Sequence, residues 1–179
     1  MIGVWQLSEE ESYFSSTVKR ICLDSDTGNS IVHEQRRKVW FAGRYLVAEL
    51  ARSMDILFEH IFTDAYGKPH LSNSEGYISI SHADSYVVAM LHRNGPCGID
   101  VEGLRPKLIK LAPKFLCQSE LEMAGDNIRN LAIMWGAKEA LYKLHGRKKL
   151  IFKENLRVEA IDFNAPQGVF QAKIIEQGR

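Results

Sequence analysis

The sequence has few cysteines, no long apolar run and almost no net charge, and each of these absences excludes a class of protein. Its three cysteines, Cys22, Cys97 and Cys117, are far apart and form no C-x-x-C pair, so neither a structural zinc site nor a disulfide framework is predicted. No stretch approaches the roughly 18 apolar residues of a membrane span. The N-terminal residues lack the basic and apolar regions of a signal peptide. We therefore expect a cytoplasmic protein with reduced thiols.

The balance of charges also limits the expected partners. The 179 residues include 23 Lys and Arg against 22 Asp and Glu, which is a formal net charge of +1. Bulk charge therefore favours neither a nucleic-acid nor a membrane partner. The length and the 45% of hydrophobic residues suit one domain, or two small fused lobes, with a substantial buried core.

Hydrophobic periodicity and turn residues predict a mixed α+β fold. Helices are expected at 8–18, at 31–52, at 105–114 with an interruption at Pro113, and from Asp126 or Asn127 to about Gly146. Strands are expected at 2–7, 77–81, 86–92, 97–102, 155–163 and 168–175, and a loop at 24–30.

The two halves of the chain are weakly similar to each other, because each is predicted to contain one long helix and several strands. We expect two similar lobes, each a long helix packed on a small, mostly antiparallel sheet, at residues 1–96 and 97–179. Ligand sites commonly lie at such a junction. Since one chain would supply both sides of that cleft, a monomer is expected.

Two carboxylates stand in the stretch Gly98–Glu102. Apolar Ile99 and Val101 alternate with Asp100 and Glu102, which favours a strand with both carboxylates on one face. Residues i and i+2 lie about 6.7 Å apart along a strand, close enough to share one cation. A D-x-E pattern by itself is more often a solvated face, so the pattern gains weight only in combination with other motifs of the chain.

A third carboxylate stands on the predicted helix near residue 135. Ile128, Leu131, Ala132 and Trp135 form an apolar stripe, and Glu139 extends that stripe by one turn. An inward carboxylate is costly unless it is paired or bound to a metal. Lys143 follows one turn later on the same side. Three oxygen donors and a lysine are typical of a site for Mg²⁺ and a phosphate ester.

Four short motifs occur in an order that resembles the 4′-phosphopantetheinyl transferase superfamily. They are G-K-P at Gly67–Pro69, S-I-S-H at Ser79–His82, G-I-D-V-E at Gly98–Glu102 and W-x-x-K-E-A-x-x-K at Trp135–Lys143. The sequence is most similar to the longer, pseudodimeric type, which activates the carrier proteins of peptide and polyketide synthases. The resemblance covers residues 36–146.

The resemblance implies a reaction and a set of site residues. The 4′-phosphopantetheine arm of coenzyme A would move to a serine of an apo acyl or peptidyl carrier protein, with Mg²⁺ as cofactor and adenosine 3′,5′-bisphosphate as product. By the same resemblance, Mg²⁺ would be held by Asp100, Glu102 and Glu139. Coenzyme A would be contacted by Arg44, Lys68, Ser81, His82 and Lys143. Glu139 and Lys143 would be catalytic, with either Glu139 or a water held by the metal accepting the serine proton.

Alternatives remain open from the sequence. The basic stretch 105–114 suits either a docking face for an acidic carrier protein or an ordinary solvated helix. A Mg²⁺-dependent nucleotide pyrophosphohydrolase would share the carboxylates and phosphate-binding cations, and a non-catalytic scaffold would share the fold. The choice among fatty-acid, polyketide and peptide-synthetase carriers, the tolerance for acylated coenzyme A, and the preference for Mg²⁺ or Mn²⁺ are left open.

Overall fold

The computed structural model of the chain describes residues 1–22, 25–147 and 150–175. The fold is mixed α+β, as predicted, with helices packed on small antiparallel sheets. The helices are α1 Glu11–Ile21, α2 Ser25–Asn29, α3 Glu34–Ser53, α4 Lys107–Phe115, α5 Gln118–Ala124, α6 Ile128–His145 and α7 Phe152–Asn155. The strands are β1 Ile2–Gln6, β2 Ile61–Thr63, β3 Pro69–Leu71, β4 Tyr77–Ala83, β5 Tyr86–His92, β6 Leu156–Val158 and β7 Ala172–Ile174.

The N-terminal core lies between α3 and a three-stranded sheet in the order β1-β5-β4. Ile78 of β4 and Phe41 and Val47 of α3 are buried in this core, because apolar residues recur with the period of each element. Burial of such side chains contributes about 1.5–3 kcal/mol each. Successive strand residues face opposite sides, so Ser79 and Ser81 of β4 face away from α3 and towards the second half of the chain.

The C-terminal core is built from helices α4–α7 and the β6–β7 pair. Its largest helix, α6, begins at the N-cap Asn127, whose side-chain oxygen accepts the backbone N–H groups of Arg129 and Asn130. The helix ends at Gly146, which has a φ of 71° and supplies the left-handed C-terminal cap. Both ends of α6 therefore agree with the sequence prediction.

The buried side chains form two clusters, one within residues 7–91 and the other within residues 108–158. The predicted division between residues 96 and 97 lies in the stretch between these clusters and stays a prediction. In the described ranges, no helix combines the length and the apolar character that a membrane crossing requires.

The predicted strand at 97–102 is wrong. These residues pair with no neighbouring strand and instead lie against α6, where a Cβ on Gly98 would collide with the carbonyl oxygen of Ala140. The backbone N–H of Ile99 donates to the Ser79 hydroxyl at 3.0 Å. The segment therefore takes its place from helix packing and a side-chain hydrogen bond, so the expected alternation of faces does not apply.

Other helix boundaries also differ from the prediction. Residues 25–29 of the predicted loop form the short helix α2, and Asp24 lies outside the described residues. α3 begins at Glu34, so Val32 precedes the helix and is 95% exposed. Pro113 lies inside α4 without ending it, and the Leu116 N–H still donates to the Ala112 carbonyl. α1 begins three residues beyond Ser8, without the predicted capping box.

Candidate functional site

One carboxylate joins three separate parts of the chain. Asp100 Oδ1 accepts hydrogen bonds from Lys143 Nζ of α6 and from Ser81 Oγ of β4, each at 2.7 Å. Lys143 also donates to the carbonyl oxygen of Ile99 at 3.2 Å. The Asp100 side chain is only 7% exposed, so these charge-assisted bonds are largely shielded from water. The structure thus brings together three of the predicted site residues.

The second carboxylate of the G-I-D-V-E motif is held by a residue that the sequence reasoning did not assign to the site. Glu102 Oε1 accepts hydrogen bonds from Arg105 Nε at 3.1 Å and from the Gly103 N–H at 2.9 Å. The same guanidinium donates to Asp84 at 2.8 Å, in the turn between β4 and β5. Arg105 therefore links the two halves of the chain as well as neutralising Glu102. The only sequence signal was an arginine three residues after a glutamate.

Glu139 lies one turn before Lys143 on α6 and is partly buried, as predicted. Burial raises the pKa of Glu139, and the negative charge of Asp100 raises it further, whereas Lys143 opposes this rise. Glu102 adds a smaller upward contribution to the same pKa. The Glu139 carboxyl group therefore binds a proton more readily than a carboxyl group in water does.

Glu139 also lines an open groove of about 510 Å³ between α4, α6 and α7. The other lining side chains are Leu111, Lys114, Phe115, Trp135, Tyr142 and Phe152. The groove is mainly aromatic and aliphatic, with one basic side chain. The groove leaves Glu139 accessible from one side, whereas the preceding residue, Lys138, is fully buried.

The three predicted metal ligands fit a divalent cation by their chemistry. Asp100, Glu102 and Glu139 supply hard oxygen donors. The negative charges of Asp100 and Glu102 raise the pKa of Glu139, and a bound cation would offset this repulsion. Across the described part of the chain, however, no group of three or more His, Cys, Asp or Glu side chains is gathered closely enough to hold a metal ion. Asp100 and Glu102 instead pair with Lys143 and Arg105. The metal assignment stays a prediction that requires these ion pairs to rearrange.

Lys68 lies at the junction of the two halves. Its Nζ donates to the carbonyl oxygen of Leu144, in the last turn of α6, at 2.8 Å. Burial lowers the pKa of Lys68. Lys68, Lys143 and Arg147 line a cavity of about 150 Å³ together with Ser79 and backbone of the Tyr66–Pro69 turn. Three basic side chains around one small cavity suit a phosphate group.

Two other predicted coenzyme A contacts lie elsewhere. His82 is exposed near the end of β4, and Arg44 is only 9% exposed and stacks on Trp40, with its guanidinium carbon 3.4 Å from the ring centroid. Neither residue is in the described lining of the small cavity. Their contacts with coenzyme A stay predictions.

The motif W-x-x-K-E also contains a structural residue that the sequence reasoning missed. Lys138 is fully buried and its Nζ donates to Glu120 at 2.7 Å, to the Phe115 carbonyl at 2.8 Å and to the Phe152 carbonyl at 3.1 Å. Glu120 also accepts the backbone N–H of Val158. Helical spacing was the available signal, because Lys138 follows the buried residues at 131 and 134 by seven and four positions.

The buried pair shifts both of its pKa values downwards. Burial lowers the pKa of Lys138 against the opposing effect of Glu120. Burial alone would raise the pKa of Glu120, but hydrogen bonds from Lys138 and from backbone N–H groups more than offset it and lower the pKa. The hydrogen bonds of this pair connect α4, α5, α6, α7 and β6.

Comparison with known proteins supports the resemblance seen in the motifs. Residues 96–175 match the family model of the 4′-phosphopantetheinyl transferase superfamily. A protein of Synechocystis sp. that is provisionally named a 4′-phosphopantetheinyl transferase is 31% identical over 110 residues, which cover 55% of this chain and 45% of that protein. The match thus spans less than half the length of this curated relative. The resemblance of the chain to this superfamily is confirmed.

Proposed function

We propose that this chain transfers the 4′-phosphopantetheine arm of coenzyme A to a serine hydroxyl of an apo acyl or peptidyl carrier protein, and releases adenosine 3′,5′-bisphosphate. The observation that carries the proposal is the Asp100 carboxylate, which is shielded from water and accepts hydrogen bonds from both Ser81 and Lys143. Lys143 lies one helical turn after Glu139 on α6. The match of residues 96–175 to the superfamily supports the same reaction.

Coenzyme A would be held by its phosphate groups. The cavity with Lys68, Lys143 and Arg147 supports binding of an anion, because ammonium and guanidinium groups form strong charge-assisted hydrogen bonds to phosphate oxygens. Arg44 and His82 would contact other parts of the nucleotide. Positioning supplies much of the rate in this type of transfer, since it converts a bimolecular encounter into a step within one complex.

The chemical step is an exchange of one P–O bond for another. The serine oxygen bonds to the phosphorus that carries the pantetheine arm, and the bond from that phosphorus to the bridging oxygen breaks. The electron pair leaves with adenosine 3′,5′-bisphosphate, where Lys143 would neutralise the added negative charge. Glu139, directly or through a water, would accept the serine proton.

Asp100, Glu102 and Glu139 would hold Mg²⁺, which when bound would neutralise charge on the diphosphate. The chain's own contribution is to keep Asp100 close to Ser81 and Lys143 and to keep Glu139 beside the open groove. Since one chain supplies residues from β4 and α6 to the same site, we also propose a working monomer.

The mass of a carrier protein tests this function directly. The chain is incubated with coenzyme A, Mg²⁺ and a panel of purified apo carrier proteins, and each carrier is weighed by mass spectrometry. A gain of one phosphopantetheine arm, absent when coenzyme A is omitted, is the expected result. Cleavage of coenzyme A without that gain would indicate a nucleotide pyrophosphohydrolase, and tight binding of a carrier without any covalent change would indicate a scaffold.

A further inference from the structure

We propose that Asp64 is a positioning residue for Lys68, whose ammonium it directs to the small cavity between the turn and α6. This inference rests on the proposed function, in which Lys68 binds a phosphate of coenzyme A. Asp64 itself need not touch the ligand. It acts by fixing the Tyr66–Pro69 turn.

The turn closes around a single carboxylate. Asp64 Oδ1 accepts the backbone N–H groups of Tyr66 at 2.8 Å and of Lys68 at 2.9 Å. The backbone adds two further bonds, from the Asp64 N–H to the Lys68 carbonyl and from the Gly67 N–H to the Asp64 carbonyl, each at 3.0 Å. Gly67 has a φ of 92°, a conformation that glycine adopts readily. Four hydrogen bonds thus hold the turn, and the Lys68 backbone makes two of them.

The same carboxylate is also tied to the strand that follows. Asp64 Oδ2 lies 2.9 Å from His70 Nε2 on β3. The His70 ring in turn stacks on Phe62 of β2, with 5.2 Å between the ring centroids. The His70 contact and the backbone N–H groups lower the pKa of Asp64 to about 2, so the carboxylate is charged at neutral pH. The turn is therefore anchored to both strands of its hairpin.

The fixed backbone of Lys68 also sets the direction in which its side chain extends. Its stem packs against Gly146, where an added Cβ would collide with Lys68 Cδ, and its Nζ reaches the Leu144 carbonyl. A free lysine side chain loses considerable rotational entropy when it binds a ligand. A side chain already held at the cavity has lost that entropy before coenzyme A arrives. Loss of Asp64 should therefore weaken the binding of coenzyme A, and it should do so only through its effect on Lys68.

A double-mutant cycle on coenzyme A affinity tests this coupling. Steady-state transfer is measured for the unmodified chain, Asp64→Ala, Lys68→Met and the double variant. We expect Asp64→Ala to raise the KM for coenzyme A about tenfold while kcat stays within about twofold. In the Lys68→Met background the Asp64→Ala change should have no further effect on KM. Equal effects of Asp64→Ala in both backgrounds, or a fall in kcat at unchanged KM, would overturn the inference.

A conservative variant separates hydrogen bonding from charge. The amide oxygen of Asp64→Asn retains an acceptor for the two backbone N–H groups but removes the negative charge. We expect its KM for coenzyme A to stay within about threefold of the original value. A KM as high as that of Asp64→Ala would mean that the two backbone hydrogen bonds to Oδ1 do not position Lys68, and would also overturn the inference.

Asn73→Ala is the matched control. Asn73 makes the same kind of bond in the next turn, where its side-chain oxygen accepts the backbone N–H of Glu75 at 3.2 Å, but that turn carries no predicted ligand. It should lower the melting temperature without changing the KM for coenzyme A. If the unmodified chain neither binds coenzyme A nor modifies a carrier, the proposed function fails, and the inference with it. If the unmodified chain is active and Asp64→Ala has the same KM for coenzyme A, the inference fails while the proposed function stands.

Discussion

The Lys143 ammonium on α6 and the Asp100 carboxylate in the segment before α4 lie 2.7 Å apart, and Ser81 of the first half donates to the same carboxylate oxygen. The ion pair therefore fixes the G-I-D-V-E motif against α6 and against β4 at once. Because Asp100 is 7% exposed and Lys143 is 27% exposed, the ammonium retains access to a ligand while its counterion is shielded.

Removing either central carboxylate should abolish transfer while leaving the fold largely intact. We expect Asp100→Ala and Glu139→Gln each to reduce kcat at least about a hundredfold, because charge stabilisation and proton transfer each contribute at this scale. Transfer is followed by carrier mass and the fold by circular dichroism. Glu122→Gln, an exposed change on α5, is the control and should retain full activity. Full activity in both site variants would refute the assignment of the carboxylates.

Arg105 should compete with a divalent cation for Glu102. Loss of its positive charge in Arg105→Gln frees the carboxylate, so we expect the Mg²⁺ concentration for half-maximal transfer to fall about threefold or more. Direct Mn²⁺ binding, followed by calorimetry, should tighten in parallel. Arg52→Gln breaks a surface pair with Glu49 and should change neither measurement. Weaker Mn²⁺ binding in Arg105→Gln would show that the arginine supports the site instead.

The buried pair of Lys138 and Glu120 should dominate the stability of the second half. Lys138→Met leaves a charged carboxylate without its partner in the core, which costs about 3–5 kcal/mol of unfolding free energy. The double variant Lys138→Met/Glu120→Gln removes that charge but retains an acceptor for backbone N–H groups, so part of the loss should be recovered. Urea unfolding measures both. A cost below about 1 kcal/mol for Lys138→Met would contradict the structure.

Gly98 should tolerate no side chain, because a Cβ there meets the backbone of α6 at Ala140. We expect Gly98→Ala to cost about 1–3 kcal/mol of stability and to reduce transfer at least about tenfold, since the segment that carries Asp100 must move away from Lys143. Gly168→Ala is the control, because nothing lies near the added Cβ. The same unfolding and mass assays apply, and equal behaviour of the two variants would argue against close packing at Gly98.

The stability contributed by Asp64 should disappear in acid. Its pKa is lowered from 3.8 to about 2, so the folded state favours the charged form, and that contribution is complete above the unfolded pKa. It is lost as pH falls through the folded pKa. The melting temperatures of the unmodified chain and of Asp64→Asn should therefore converge as the pH falls from about 5 to about 2. A difference that stays constant over this range would contradict the low pKa.

The sequence predicted most elements of the fold, because the periods of buried residues are local properties. The stripe that ends at Trp135 predicted both the helix and the inward position of Glu139, and Gly146 predicted the helix end. The prediction of a strand at 97–102 was wrong because alternating apolar residues cannot distinguish a strand from a segment packed on a helix. Here the packing brings Gly98 close to Ala140, which is distant in sequence.

The candidate site was only partly predictable for a similar reason. Spacing patterns identified Asp100 and Lys143, and the family resemblance of the S-I-S-H motif identified Ser81; the structure brings these three residues together. The partners of Glu102 were missed because Arg105 and Asp84 meet only through the tertiary fold. Lys138 was missed as a core residue because a lysine is rarely buried, although its helical position indicated burial.

The contact between Lys68 and the last turn of α6 has a consequence for ligand entry. An ammonium group has three N–H donors, and within the described chain Lys68 commits one of them to the Leu144 carbonyl. The other donors suffice for an arriving anion, so Lys68 can hold both at the same time. Under the proposed function, a phosphate group could therefore occupy the cavity while the hairpin stays bonded to the helix.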